Sequence, residues 1–208
     1  MLPENITSHK AFESKELFFS YSKSTKWSSR HDLVKDYLWR ICEVLLFRTS
    51  IKFMKGWRNW LLRCFGAHIG KGCYVSNRAI LVHPWNITLG DCVNIDDYVF
   101  IKASAEVRIG DHVQIANYVK IVPGGHDVRS NDFRFISKPI TIGNGAFLGF
   151  GCFIGPGVKI GQMAVIGSNA RIYKSVDENT IIVESTSTTQ KARLPRDEYL
   201  SYRYNENK

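Results

Sequence analysis

From Ile142 to Val176 the chain repeats a six-residue phrase without a break: IGNGAF, LGFGCF, IGPGVK, IGQMAV, IGSNAR, IYKSVD. Each hexad opens on an aliphatic residue (Ile142, Leu148, Ile154, Ile160, Ile166, Ile172), and its fifth place holds a small one (Ala146, Cys152, Val158, Ala164, Ala170, Val176). Five of the six carry Gly in second place. A period of six fits neither the helical 3.6 nor the strand alternation of 2, so it reports a supersecondary repeat. The physical reading is an all-β solenoid, a parallel β-helix with three short strands per coil. The first residue of each hexad points into a narrow triangular interior and the fifth faces inward near a corner. The second-place Gly is expected to take a positive φ at the bend, where lacking a Cβ makes that conformation cheap.

The same frame recovers the middle of the chain. Hexads begin at Ile69, Val75 and Leu81, at Leu89, Ile95 and Ile101, and at Ile109, Ile115 and Ile121. These triplets start 20 residues apart, which leaves two extra residues at one corner of each coil. All 15 first places are Ile, Leu or Val. Among the fifth places only Trp85 is too large, so the coil is expected to bulge there and send the ring outward. Between Ile121 and Ile142 the frame has 15 residues too many, which predicts a loop over 124–139 (GGHDVRSNDFRFISKP) thrown from one corner. Loops on rigid scaffolds commonly carry chemistry.

Upstream, the pattern turns helical. Val34, Tyr37, Leu38, Ile41, Cys42 and Leu45 follow an i, i+3, i+4, i+7 stripe, with Asp32 as the expected N-cap. A second stripe, Phe53, Trp57, Trp60, Leu61 and Cys64, is accompanied by Lys52, Lys55, Arg58 and Arg63 and ends near Gly66. Two roles are open to this pair: capping the exposed end of the solenoid, or anchoring at a membrane interface through Trp, Phe and basic residues. The organisation expected is an N-terminal extension over 1–66 with two amphipathic helices, the β-helix over 67–183, and a polar, basic tail over 184–208. Residues 1–30 show no clear period.

Composition narrows the partners. A net charge of +9 asks for an anionic one, either a membrane surface or a phosphorylated cofactor, since no nucleic-acid motif is present. Five cysteines is an odd number, and Cys73 and Cys152 fall at inward places, so a reducing cytoplasm fits better than a disulfide framework. No signal peptide is visible, and the helical segments are too short and too charged to span a bilayer.

These hexads, with the GGHD loop before KPITIG, resemble the hexapeptide-repeat acyltransferases, and more narrowly the galactoside and colanic-acid-biosynthesis O-acetyltransferases. The likeness covers about residues 55–184, including GWRNWLLRCFGAHIGKG, PWNITLGD and RIGDHVQIA. It implies a left-handed parallel β-helix, a homotrimer, and acetyl-CoA meeting an acceptor sugar in clefts between subunits. His126 falls where that family places its catalytic base, and imidazole has the pKa for taking a hydroxyl proton near neutrality. Asp127 beside it is either an orienting carboxylate or a turn residue. On the coenzyme side the resemblance points to Gly149 and Phe150, on the strand expected to stabilise the oxyanion, and to Ser168 and Lys174. Lys191 and Arg193 are candidates for the 3′-phosphate. On the acceptor side Asp96 stands where those enzymes use Asn, and Ser104 where they use Asp. Downstream, Glu184 to Thr188 replaces the family's Gly-x-Pro-Ala segment. No metal is expected: His68, His83 and His112 do not make the facing ligand pattern of the zinc-bearing carbonic anhydrases of this fold. The expected activity is O-acetylation of a bacterial surface polysaccharide or its precursor. A small-molecule acceptor (free oligosaccharide, serine or antibiotic) and a non-catalytic scaffold are the alternatives.

Overall fold

The computed structural model describes residues 30–127, 134–183 and 190–192. Short strands stack in parallel into three sheets around one interior, a left-handed parallel β-helix of about five coils. The first sheet holds His68–Ile69, Ile87–Leu89, Val107–Ile109, Ile140–Ile142 and Lys159–Ile160. The second runs from Tyr74–Val75 through Asn94–Ile95, Gln114–Ile115, Phe147–Leu148 and Val165–Ile166 to Thr180–Ile182. The third holds Ile80–Val82, Phe100–Lys102, Lys120–Ile121, Phe153–Ile154 and Arg171–Ile172. Strand register sets the framed aliphatics directly above one another: Ile69, Leu89, Ile109, Ile142 and Ile160 on the first sheet. Val75, Ile95, Ile115, Leu148 and Ile166 follow on the second, and Leu81, Ile101, Ile121, Ile154 and Ile172 on the third. All of them are buried. Each such side chain contributes about 1.5–3 kcal/mol on full burial, so these three columns are the core.

At the first corner (first to second sheet) the left-handed conformation falls on the fourth place of the hexad, at Gly72, Cys92, His112, Gly145 and Met163. At the second corner (second to third sheet) it falls on Tyr98, Tyr118, Gly151 and Asn169. The expectation that the second-place glycines supply the positive φ is therefore corrected. What they supply is room. A Cβ on Gly149 would stand 2.7 Å from the Ile166 carbonyl oxygen, and one on Gly143 2.6 Å from the Gln162 nitrogen, both in the next coil. At the third corner (third sheet back to first) the two extra residues move the inward place. Ile87, Val107 and Ile140 are buried there instead of Trp85, Ala105 and Gly125. Trp85 sits in a 3-10 turn, Pro84–Asn86, half-buried with the Lys35 ammonium 4.6 Å over its ring.

Helix α1 spans Arg30–Cys42 and runs on into a π-helical turn, Glu43–Phe47; α2 spans Lys55–Cys64. Asp32 lies inside α1 and is not its N-cap. The expected apolar stripe does not face the β-helix: Val34, Tyr37, Leu38, Ile41 and Leu45 are exposed, whereas Trp39 and Phe47 are buried. In α2 the buried residues are Arg58, Asn59, Leu61 and Leu62, while Trp60 and Cys64 are exposed. Phe53 precedes the helix and is 90% exposed.

The reason is hydrogen-bond direction. The carbonyl of a framed first place accepts from the coil before it, as Leu89 O does from the Gly70 N–H at 2.9 Å and Ile109 O from the Gly90 N–H at 2.8 Å. The carbonyls of the first coil consequently face the open end. The helices bring donors to them: Arg63 to Ile69 O (2.7 Å), Asn59 to Cys73 O (2.9 Å), Arg58 to Val75 O (2.7 Å) and Trp39 Nε1 to Leu81 O (2.6 Å). Left without partners, such buried acceptors would each cost about 1–3 kcal/mol. The buried Arg58 guanidinium also donates to Ser50 Oγ, Ile51 O and Lys52 O, tying the loop before α2 to the same end.

Candidate active site

Gly124–His126 and Phe135–Ser137 pair antiparallel as a hairpin leaving the third corner, with His126 opposite Phe135. Its base is tight. A Cβ on Gly124 would collide with the Ser104 hydroxyl and stand 2.7 Å from the Phe135 ring. Ser104 Oγ in turn lies 3.0 Å from Ser137 Oγ. The His126 ring is half-buried and meets Phe135 edge-on, with centroids 5.6 Å apart and planes at 71°. The Asp127 N–H donates to Arg134 O at 2.9 Å, and its carboxylate faces Arg134 Nη2 at 3.8 Å. Nothing in the hexad frame singles out Phe135 or Arg134. Their only signal is the strand-prone pair Phe135 and Ile136 within the loop.

The second corner collects another group. Register places Asp96 and Gly149 in one column, and Asp97, Asn117, Phe150 and Ser168 in the next. Asn94 Nδ2 donates to Asp96 Oδ1 at 2.8 Å. Lys52, Tyr74, Asn94, Asp96, Asp97 and Asn117 line an open polar groove there. The Gly149 N–H donates to Ile166 O at 2.7 Å, so it is already engaged within the coils. An aromatic ladder descends the same corner. The Arg78 guanidinium lies 5.7 Å over Tyr98, Tyr98 stacks on Tyr118 at 5.0 Å, and Tyr118 meets Phe150 at 5.2 Å. Arg78, Tyr98 and Tyr118 hold the same place in successive coils, a period of 20 that makes the ladder readable from sequence.

Lys174 is exposed at the third corner, two coils beyond the hairpin base and roughly 10 Å along the axis. Lys191 lies in Gln190–Ala192, an added antiparallel strand in which it pairs with Ile181. Arg193 and Glu184 to Thr188 lie outside the described residues. His126, Asp127, Ser104 and Lys174 thus gather at the third corner, while Asp96, Gly149, Phe150 and Ser168 gather at the second. One side of the prism, roughly 15 Å of extended chain, separates the two groups within a single copy.

The inward cysteines are inert. Burial pushes the Cys152 thiol up to about 12 and raises that of Cys73, so neither offers a thiolate near neutral pH. Burial also lowers the pKa of His83, which lies 3.7 Å from Asp36 at the junction with α1, at the same corner as Ser104 and one coil before it. Among the described residues, no three His, Cys, Asp or Glu side chains come together in a way that could hold a metal ion.

The pattern of the family described as bacterial transferase hexapeptide (six repeats) matches residues 139–174. A protein of Escherichia coli K12, assigned to colanic acid biosynthesis as the acetyltransferase WcaF, is 34% identical over 148 residues, which is 71% of this chain and 81% of that one. Among solved structures, a galactoside acetyltransferase in complex with coenzyme A superposes with a TM-score of 0.72 at 25% identity, covering 82% of this chain and 86% of its own. A maltose O-acetyltransferase from Clostridium difficile 630 superposes with a TM-score of 0.68 at 25% identity, covering 79% and 89%.

Proposed function

The chain belongs to the bacterial hexapeptide-repeat transferases, as an acetyltransferase that draws on acetyl-CoA, and from that premise we propose that it acetylates a hydroxyl of a surface-polysaccharide sugar or its precursor. The observation that carries this reading is His126, held on a hairpin at a corner of a rigid prism with its ring edge-on to Phe135. A hydroxyl is a poor nucleophile until its proton is leaving, and a positioned imidazole is the group that takes it. His126 removes the proton, the oxygen attacks the thioester carbonyl, and the C–S bond breaks. The same imidazole returns the proton to the departing thiolate. The Phe150 N–H stabilises the oxyanion. Phe150 and Ser168 contact the coenzyme, with Lys174, Lys191 and Arg193 towards its phosphates. Asp96 and Ser104 hold the acceptor, and Asp127, turned towards Arg134, fixes the start of the loop.

Because the two groups of residues occupy different corners, the working unit is a homotrimer in which the third corner of one copy faces the second corner of its neighbour. Cyclic symmetry then gives three equivalent sites. The relative named for colanic acid biosynthesis supports a polysaccharide acceptor, of capsule, exopolysaccharide or O-antigen type. The open polar groove fits the end of a glycan better than a small enclosed ligand. We place the enzyme in the cytoplasm, at the inner face of the membrane.

The test is to incubate the protein with acetyl-CoA and candidate glycans, follow thiol release and locate the new ester by mass spectrometry. His126→Ala is expected to lower kcat about 10²–10⁴-fold with little change in coenzyme binding. A variant that transfers acetyl at the wild-type rate would remove His126 from the mechanism.

A further inference from the structure

We infer that the outward face of the N-terminal helical unit is a docking surface for an anionic lipid bilayer. Leu33, Val34, Tyr37, Leu38, Ile41, Val44 and Leu45 are all exposed along α1 and its π-helical turn, an apolar strip roughly 18 Å long. Leu46 continues it: its carbonyl accepts from Trp57 Nε1 at 3.2 Å, and Trp57 stacks on the exposed Trp60 at 5.0 Å. The loop before α2 adds Ile51, Phe53 and Met54, also exposed. A strip of this extent on a soluble chain marks an interaction surface.

Charge decides the occupant. Apart from the buried Arg58, residues 33–66 hold six Lys and Arg against two Asp and Glu. Both carboxylates are engaged within the unit, Asp36 with Arg40 and the buried Glu43 with Arg48, each at 3.0 Å. Arg40 stands inside the apolar groove formed with Tyr37, Ile41, Val44 and Leu45. Docking of two such faces on each other would bring like charges together in an apolar contact. A bilayer with anionic headgroups meets both features, with apolar side chains at the acyl boundary and Lys52, Lys55 and Arg40 reaching to the lipid phosphates. No described helix is long and apolar enough to cross a membrane, so the contact is one of lying on the surface. Lys52 also lines the polar groove at the second corner, so the docking loop borders the surface assigned to the acceptor.

The experiment is flotation of the full chain with phosphatidylcholine vesicles containing about 30 mol % phosphatidylglycerol, against phosphatidylcholine alone. Binding is expected to the anionic vesicles only, and to be largely lost in about 0.5 M salt. The double variant Ile41→Glu/Leu45→Glu is expected to bind roughly tenfold or more weakly, and Lys55→Glu to weaken binding with the apolar face intact. Both should keep the wild-type melting temperature, oligomeric state and thiol release with a soluble acceptor. No flotation of the wild-type chain, or flotation of the double variant equal to it, overturns the inference. So does a change of oligomeric state in the double variant without lipid, which would assign the face to another copy. Thiol release is read separately, so loss of lipid binding leaves the acetyl-transfer reading standing.

Discussion

The β-helix and the helical unit at its N-terminal end bury different kinds of side chain. In the β-helix every framed aliphatic goes in, and backbone groups pair from coil to coil. In the helical unit Arg58, Asn59 and Glu43 go in beside Trp39, Phe47, Leu61 and Leu62, while Val34, Tyr37, Ile41 and Leu45 stay out. The difference follows from what each region must satisfy. Inside the stack the backbone is already paired and only apolar area remains to be removed from water. At the end of the stack a row of carbonyls has no preceding coil, so the covering helices must bring donors as well as apolar side chains. The apolar surface they retain is then free for another partner.

Substitutions that treat the two regions alike should give unlike results. The largest loss is expected for Ile101→Ala, about 3–5 kcal/mol of unfolding free energy, because the cavity lies within a rigid column. Arg58→Ala is expected to cost about 3 kcal/mol, since it leaves several buried acceptors unpartnered at once; a cost like that of an ordinary surface arginine would show that the end is satisfied some other way. Gly149→Ala should destabilise by about 1–3 kcal/mol through collision with the backbone of the next coil, whereas Gly72→Asn, at a left-handed position whose nearest neighbour is the Cys92 sulfur at 3.1 Å, should cost less than that. Chemical denaturation of each variant checks the order. Leu45→Ser, in a helical apolar stripe, should change stability by less than about 0.5 kcal/mol.

The smallest effect sharpens the junction between the two regions. Burial depresses the pKa of His83 below its ordinary 6.5, so the unfolded chain binds more protons there than the folded one. Its contribution is present above pH 6.5 and is lost as pH falls through the folded value. His83→Asn, which tolerates the left-handed backbone at φ 59°, should flatten the fall in melting temperature between pH 7 and 5.

The coils were legible because their period is a direct image of the geometry: Ile69, Leu89, Ile109, Ile142 and Ile160 are one column both in the frame and in space. The role of the second-place glycines was not, since a period reveals that Gly is required without telling a positive φ from a close approach. The helices were located but their orientation was misread. An apolar stripe ordinarily marks the inward face, and the orphan carbonyls that reverse it belong to residues 69–81, beyond the helices themselves. At the candidate site, His126 was singled out by its loop together with the family resemblance, but Phe135 was not, because its opposition to His126 arises only when the hairpin closes. The separation of the candidate residues into two corners follows from the same frame: Asp96, Gly149, Phe150 and Ser168 fall in the second hexad of a coil, and Ser104, His126 and Lys174 in the third.

That separation is tested most directly by mixing two inactive proteins. Co-expressed His126→Ala and Phe150→Glu chains, each without acetyl transfer alone, should regain about one quarter of wild-type thiol release per site, because random closed trimers pair an intact hairpin with an intact second corner that often. Mixed assemblies that form but regain no activity would mean that hairpin and coenzyme surface must come from the same chain, and would contradict a site shared between copies.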